Sequence, residues 1–167
     1  MKIKTIKVGY LQTNCYIIIE DKDALVIDPG DEYEKIKQEI KDLNIEAIII
    51  THRHFDHIGA LKYFENIKIY DNQNLEEKNY KIKNFEFQII KTKGHTEDSI
   101  SIYFEKEKIM FTGDFIFQNS IGRTDMDTGN MQQMKNSIEK IKKYPKDIKI
   151  YPGHGNTTNI QRKQKTE

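Results

Sequence analysis

The most constraining feature of this sequence is the stretch Thr51–Gly59, which reads T-H-R-H-F-D-H-I-G. Three of the chain's five histidines lie in this stretch and span only six residues, with an aspartate between the second and the third. The stretch directly follows the apolar run 45–50, which predicts a buried strand. Proteins that alternate strands and helices usually place their functional groups where such a strand ends. The sequence therefore predicts a functional site after this strand.

Length and composition predict one soluble globular domain over residues 1–167, because 37% of the residues are hydrophobic and 32% are charged. A net charge of +1 makes nucleic acid and an anionic membrane unexpected partners. No apolar run approaches the roughly 20 residues of a membrane span, and no signal-peptide core is visible, so we expect a cytoplasmic protein. The single Cys15 cannot form an internal disulfide and is interpreted as a core residue. The basic segment 161–165 is interpreted as solvated chain.

Apolar periodicity predicts two groups of strands with helices between and after them. The predicted strands are 2–8, 14–20, 23–28, 45–51, 67–70, 85–91, 99–105, 108–112 and 147–151, and the predicted helices are about 31–43, 57–65 and 129–143. Residues 71–84 are predicted to be irregular and polar. In the last helix, Met131, Met134, Ile138 and Ile141 share one face and are predicted to be buried. The order of elements favours two sheets packed face to face with helices outside.

Candidate metal ligands follow several of the predicted strands. They are His52, His54, Asp56, His57, His95, Asp114 and His154. Imidazole and carboxylate groups suit zinc, manganese or iron. Taken singly, His95 and His154 would more often be structural than ligating, but each follows a strand beside glycine. The sequence therefore predicts that the end of a sheet gathers these groups into one site.

The motif T-H-R-H-F-D-H-I-G resembles the T-H-x-H-x-D-H-x-G signature of metallo-β-lactamase-fold hydrolases. Gly94-His95-Thr96, Gly113-Asp114 and Pro152-Gly153-His154-Gly155 resemble later motifs of that family in the same order, and Asp28-Pro29-Gly30 resembles its early turn. The resemblance covers nearly the whole chain. It implies an α/β fold of the αββα type, a four-layer sandwich of two mixed sheets with helices outside and a dinuclear site at one edge.

The resemblance also implies a role for each ligand. His52, His54 and His95 would hold a first divalent ion, Asp56, His57 and His154 a second, and Asp114 would bridge the two. Zinc is the first choice, with iron and manganese as alternatives. A hydroxide between the ions would be the nucleophile, so Asp56, His57 and Asp114 are the predicted catalytic residues. Asp28 is interpreted as a residue that orients a ligand loop.

Within this superfamily, Ser120-Ile121-Gly122-Arg123-Thr124-Asp125 resembles the G-R-T-D loop of the glyoxalase II-like and persulfide dioxygenase branches. This implies a thioester or other ester as a small-molecule substrate, with a lactoyl-type S-acyl thiol as the first to try. Arg123 is predicted to bind a substrate carboxylate, or instead to form a salt bridge to Asp125 or Asp127. Segments 96–98 and 125–129 depart from the family pattern, so the identity of the substrate stays open. The sequence does not indicate the oligomeric state. The C-terminal helical domain of classical glyoxalase II is expected to be missing.

Three alternatives remain. A persulfide dioxygenase would use one iron on the equivalents of His52, His95 and Asp114, although those relatives tend to lack the Gly-His-Gly ending seen here. A β-lactamase is disfavoured because those enzymes act outside the cytoplasm. A non-catalytic metal-binding module is disfavoured by the complete set of seven ligands.

Overall fold

Two sheets form the centre of the protein. The structure is a computed structural model, which describes residues 1–160. The first sheet has the order β1-β2-β3-β4-β5, from Lys2–Val8, Thr13–Glu20, Asp23–Ile27, Asn44–Ile49 and Ile69–Tyr70. The second has the order β11-β10-β9-β8-β7-β6, in which β6 to β11 are Asn79–Ile82, Phe85–Lys91, Ile100–Phe104, Ile109–Gly113, Lys149–Pro152 and Thr158–Asn159. The helices are α1 (Tyr33–Ile40), α2 (Phe55–Ile58) and α3 (Met131–Ile141), with a 3₁₀ helix at Leu61–Tyr63.

Both sheets are mixed. In the first, β1 to β3 pair antiparallel and β4 joins them parallel, with Val26 opposite Ile48. In the second, β6 to β9 form antiparallel neighbours and β10 runs parallel to β9, with Ile150 opposite Met110. The parallel crossovers bring the ends of β4, β9 and β10 to loops that carry the candidate ligands.

Three clusters of buried apolar side chains hold the sheets and helices together. Large side chains such as Phe85, Phe104 and Phe111 fill the space between the two sheets. On the outer face of the first sheet, α1 buries Ile36 and Ile40, as its apolar stripe predicts. On the outer face of the second sheet, α3 packs through a similar stripe. The predicted four-layer αββα sandwich is confirmed.

Several local predictions are wrong. The predicted helix 57–65 is a four-residue α2, Phe55–Ile58, followed by the 3₁₀ turn. Between them, Gly59 packs so closely on Gly30 that a Cβ would lie 2.3 Å from the carbonyl oxygen of Gly30. The predicted irregular segment 71–84 contains β6, which pairs with β7 across a turn where Lys83 has a φ of 52°. Met131 is 50% exposed at the first turn of α3, whereas Met134 and Ile141 are buried as predicted.

Two further features bear on the predictions. Cys15 is completely buried in β2, and burial raises the pKa of its thiol far above the ordinary range, which agrees with a core residue. Among residues 1–160, no helix is both long and apolar enough to cross a membrane. The segment predicted to be solvated, 161–165, lies outside the described residues.

Candidate metal centre

All seven candidate ligands meet at one edge of the sandwich. His52 and His54 follow β4, while Asp56 and His57 lie in α2. The others follow three strands of the second sheet: His95 comes after β7, Asp114 after β9 and His154 after β10. These seven residues form two groups. In each group, all the candidate ligand atoms lie within 4.8 Å of one another. They are a first ligand group of His52, His54, His95 and Asp114, and a second ligand group of Asp56, His57, Asp114 and His154.

The first ligand group is rich in imidazole. His54 Nδ1 lies 3.1 Å from His95 Nε2. The Asp114 carboxylate closes the group, with its Oδ2 3.5 Å from His95 Nε2 and 3.7 Å from His52 Nε2. Burial is the main cause that lowers the pKa of His52 and His54, and neighbouring imidazoles lower both further. These two rings are therefore neutral at pH 7 and have a lone pair for a cation.

The second ligand group contains two carboxylates and two imidazoles. His154 Nε2 lies 3.2 Å from Asp56 Oδ2 and 3.4 Å from Asp114 Oδ2, and His57 Nε2 lies 3.2 Å from Asp114 Oδ1. Burial alone would raise the pKa of Asp56, but His154, His57 and a hydrogen bond from Thr13 lower it to about 2. Burial likewise opposes the charge on His154, yet Asp114 and Asp56 raise the pKa of that imidazole to about 9. Without a bound cation, this group therefore binds protons.

Asp114 is the residue that both groups share. Burial would raise the pKa of this carboxyl, but His154 and His57 hold it well below its usual range, so the group is a carboxylate. Its Oδ1 lies closest to His57 of the second group, and its Oδ2 lies near His52 and His95 of the first group and His154 of the second. One carboxylate so placed can bind two cations at once.

Unpaired buried atoms show that these residues fit a metal. His52 Nε2, His57 Nε2 and Asp114 Oδ1 are buried and lack a hydrogen bond of good geometry within the described part of the chain, although the last two lie 3.2 Å apart. An unpaired buried polar atom costs roughly 1–3 kcal/mol, so native proteins rarely leave three together without a partner. Nitrogen and oxygen donors in this number suit a divalent transition-metal ion.

For four of the five histidines, a contact on the far side of the ring fixes which nitrogen faces the centre. The Nδ1 of His57 donates to Asp28 over 2.7 Å, and that of His95 donates to the backbone carbonyl of Arg123 over 2.8 Å. His154 Nδ1 donates to the carbonyl of Leu11, and His52 Nδ1 contacts the hydroxyl of Thr51. Such partners fix the tautomer of a metal-binding histidine, leaving Nε2 as the ligand atom.

Asp28 lies behind the ligands, as expected of an orienting residue. Its two oxygens accept hydrogen bonds from the backbone N–H and hydroxyl of Thr51 and from the imidazole of His57. Asp28 has a φ of 53° at the end of β3, and the turn continues into Gly30. A Cβ on Gly30 would lie 1.7 Å from the backbone oxygen of Asp56, so only glycine allows the turn to pack against α2.

Two residues that the sequence reading missed support the second ligand group. Thr13 donates its hydroxyl to Asp56 Oδ2 over 2.9 Å. Asn14 donates through its side-chain amide to the carbonyl oxygens of Pro152 and Gly155, on both sides of His154. Both side chains are almost completely buried at the start of β2. Polar residues at the beginning of an otherwise apolar strand were the available sign.

Arg123 forms a salt bridge to Asp125, which was the predicted alternative to binding a substrate carboxylate. Its guanidinium donates to both carboxylate oxygens of Asp125, over 2.6 and 2.9 Å, and both side chains are exposed. The contact of Arg123 with the metal centre runs instead through its backbone carbonyl, which accepts from His95. Binding of a substrate carboxylate by the guanidinium stays a prediction.

Comparisons with known proteins agree with this geometry. The sequence model of the Metallo-beta-lactamase superfamily matches residues 8–72 and 66–154. Hydroxyacylglutathione hydrolase GloC of Haemophilus influenzae is 32% identical to the chain, over 99% of this chain and 96% of that protein.

Solved structures show the same fold. The BLEG-1 B3 metallo-beta-lactamase superposes with a TM-score of 0.92 at 32% identity, covering 98% of this chain and 97% of that one. TTHA1623, described in a di-iron-bound form, superposes with a TM-score of 0.88 at 25% identity, covering 98% of each chain. On the family match, the identity to its relatives and the shared fold, the chain belongs to the metallo-beta-lactamase superfamily.

Proposed function

We propose that this protein is a dinuclear metal-dependent hydrolase that cleaves thioesters of small acyl groups. The observation that carries the proposal is the position of Asp114, whose carboxylate belongs to two ligand groups at once. Two ions on a shared carboxylate suit the hydrolysis of an acyl compound, whereas a one-iron oxygenase needs only one of the groups. The similarity to a hydroxyacylglutathione hydrolase over 99% of the chain supports a thioester as the bond that is cleaved.

The roles of the ligands follow from their surroundings. We assign His52, His54 and His95 to one ion, Asp56, His57 and His154 to the other, and Asp114 to both. When bound, two divalent ions supply a hydroxide nucleophile at neutral pH and polarise the carbonyl of the substrate. The carboxylates of Asp56 and Asp114 offset part of the metal charge, so a net positive field remains for an anionic transition state. Zinc is our first choice of ion, with iron and manganese as alternatives.

The chain's own residues keep this arrangement in place. Thr13 donates to Asp56 Oδ2, the oxygen that also lies 3.2 Å from His154 Nε2, and so limits the rotation of this carboxylate. Asp28 keeps the proton of His57 on Nδ1, which leaves Nε2 directed at Asp114. Little reorganisation is then needed as charge develops on the substrate, which is a main source of catalysis in such sites.

A metal analysis combined with a substrate panel tests the proposal. Protein loaded with zinc, iron or manganese should bind two ions per chain and hydrolyse S-lactoyl and S-acetyl thioesters. His54→Ala should lower kcat/KM by more than about a hundredfold, since loss of even an outer partner of a metal ligand costs about 10- to 100-fold. Its circular dichroism should stay unchanged, because His54 lies outside the three apolar clusters.

Other outcomes would replace the proposal with one of its alternatives. One iron per chain with oxygen uptake on a persulfide would identify a dioxygenase. Hydrolysis of a β-lactam in preference to every thioester would identify a lactamase, the activity named for BLEG-1. Full metal occupancy without turnover of any of these substrates would identify a binding module.

A further inference from the structure

A cavity of about 320 Å³ lies directly beside the second ligand group. Its walls include Tyr10, Leu11, Asp31, Phe55 and Asp56. Asp56 is both a wall residue and a candidate ligand, so the cavity borders the metal centre at this residue. Its volume falls in the range of about 300–1,000 Å³ that is typical of small-molecule pockets.

Apolar side chains surround the mouth of this cavity. Tyr10 is 98% exposed, Phe55 75% and Leu11 46%. Tyr10 and Leu11 lie in the turn between β1 and β2, and Phe55 begins α2. One exposed apolar side chain is ordinary, but three around a single cavity next to a reactive centre mark a binding surface.

The charges that line the cavity are of one sign. Asp31 and Asp56 line it, and within residues 1–160 no lysine or arginine is among its wall residues. In the metal-loaded protein Asp56 would bind a cation, so the negative wall charge that a bound anion meets is that of Asp31, and like-charge contacts are unfavourable. Glutathione carries two carboxylates and one ammonium group, so it is poorly matched to this wall.

We propose that this cavity binds an apolar, uncharged group of the thioester substrate, and that the protein therefore prefers such thioesters to those of glutathione. The apolar group comes from either the acyl half or the thiol half of the substrate. The preference rests on the proposed thioesterase function, whereas binding of the apolar group in the cavity can be measured without turnover.

Four thioesters separate the two sources. They are the acetyl and phenylacetyl thioesters of N-acetylcysteamine, which is uncharged, the acetyl thioester of benzyl mercaptan, and phenylacetylglutathione. The metal-loaded full chain should hydrolyse at least one apolar uncharged thioester with a kcat/KM about tenfold or more above that for phenylacetylglutathione, which is within the range that one apolar pocket supplies. The phenylacetyl compound tests the acyl half, and the benzyl compound tests the thiol half.

Variants locate the effect in the cavity. Tyr10→Ser, and Tyr10→Ser combined with Phe55→Ser, should lower kcat/KM for the preferred apolar substrate by roughly tenfold. The acetyl thioester of N-acetylcysteamine should change less than twofold in Tyr10→Ser. Tyr63→Ser is the matched control, because Tyr63 is an exposed tyrosine outside the cavity. Asp31→Asn should raise kcat/KM for phenylacetylglutathione about two- to fivefold, the size of one exposed charge interaction.

Binding of an inert ligand keeps the inference testable without catalysis. S-benzyl-N-acetylcysteamine, a thioether that cannot be hydrolysed, should bind the metal-loaded chain in calorimetry and bind Tyr10→Ser more weakly. S-methyl-N-acetylcysteamine is the matched ligand without the apolar group. Equal binding of the two thioethers, or equal binding by the wild-type protein and Tyr10→Ser, would overturn the inference. Binding as expected without hydrolysis of any thioester would support the cavity's ligand class and refute the proposed function.

Discussion

The two ligand groups of the metal centre are built in different ways. In the first group, two of the three histidines come from one short loop after β4. Burial keeps the pKa of these two, His52 and His54, low. The second depends on α2 and on the loop after β10, with partners from the start of β2 and from Asp28. Its imidazoles lie next to carboxylates and bind protons when no cation is present. We therefore expect the first ion to bind more tightly than the second.

The largest expected effect comes from the residue that the groups share. Asp114→Ala should remove an oxygen ligand from both ions, lower the metal content from two ions to fewer than one per chain and lower kcat/KM by more than about a hundredfold. Elemental analysis after dialysis at equal free zinc measures the content. Asp125→Ala is the control, because Asp125 is an exposed carboxylate that pairs with the guanidinium of Arg123. Retention of two ions by Asp114→Ala would refute the bridging role.

A change at Asp28 should separate the groups. Asp28→Asn removes the charge that holds His57, so the second ion should bind about 10- to 100-fold more weakly, the usual cost of losing an outer partner. The first ion should be affected less, because the hydroxyl of Thr51 lies between His52 and Asp28 and hydrogen bonds to both. Calorimetric titration with zinc measures both steps. Equal weakening of the two steps would contradict the separation.

Acid should act on the second ion first. The pKa of His154 is raised to about 9 and that of His57 is held above its ordinary value, so both rings are protonated at pH 7 in the metal-free protein. Binding the second ion must displace these protons, and each displaced proton lowers the affinity by up to about tenfold per pH unit as the pH falls. His52 and His54 are already neutral there, so the first step should change little between pH 8 and pH 6.5. Competition with a chelator at several pH values measures this, and parallel slopes for the two ions would refute it.

The smallest expected effect comes from Thr13. Thr13→Val keeps the shape of the side chain but removes the hydrogen bond to Asp56, worth about 0.5–1.5 kcal/mol, and should weaken the second ion a few-fold. Thr5→Val is the control, since Thr5 is an exposed threonine of β1. The same zinc titration measures both variants. An unchanged second step in Thr13→Val would show that the hydroxyl does not support the ion.

The sequence predicted the sandwich and the meeting of the seven candidate ligands because both depend on local patterns. An apolar strand that ends in a polar motif can be recognised without knowing its neighbours. The contacts of Thr13 with Asp56 and of Asn14 with Pro152 join residues 43 and 138 positions apart, and no periodicity encodes them. The close packing of Gly59, directly after α2, on Gly30 is a further contact between distant residues that no periodicity encodes. The assignment of each ligand to an ion stays a prediction.

The hydrogen bonds of Asn14 have a consequence for the order in which the protein is made. A ribosome releases residues 13 and 14 long before residues 152–155, so the start of β2 must wait for its partners until most of the chain has emerged. His52, His54, His95 and Asp114 are all synthesised before His154. A nascent chain whose Asp114 has left the exit tunnel should therefore be able to take up one ion, and the second should enter only when the loop after β10 has left it.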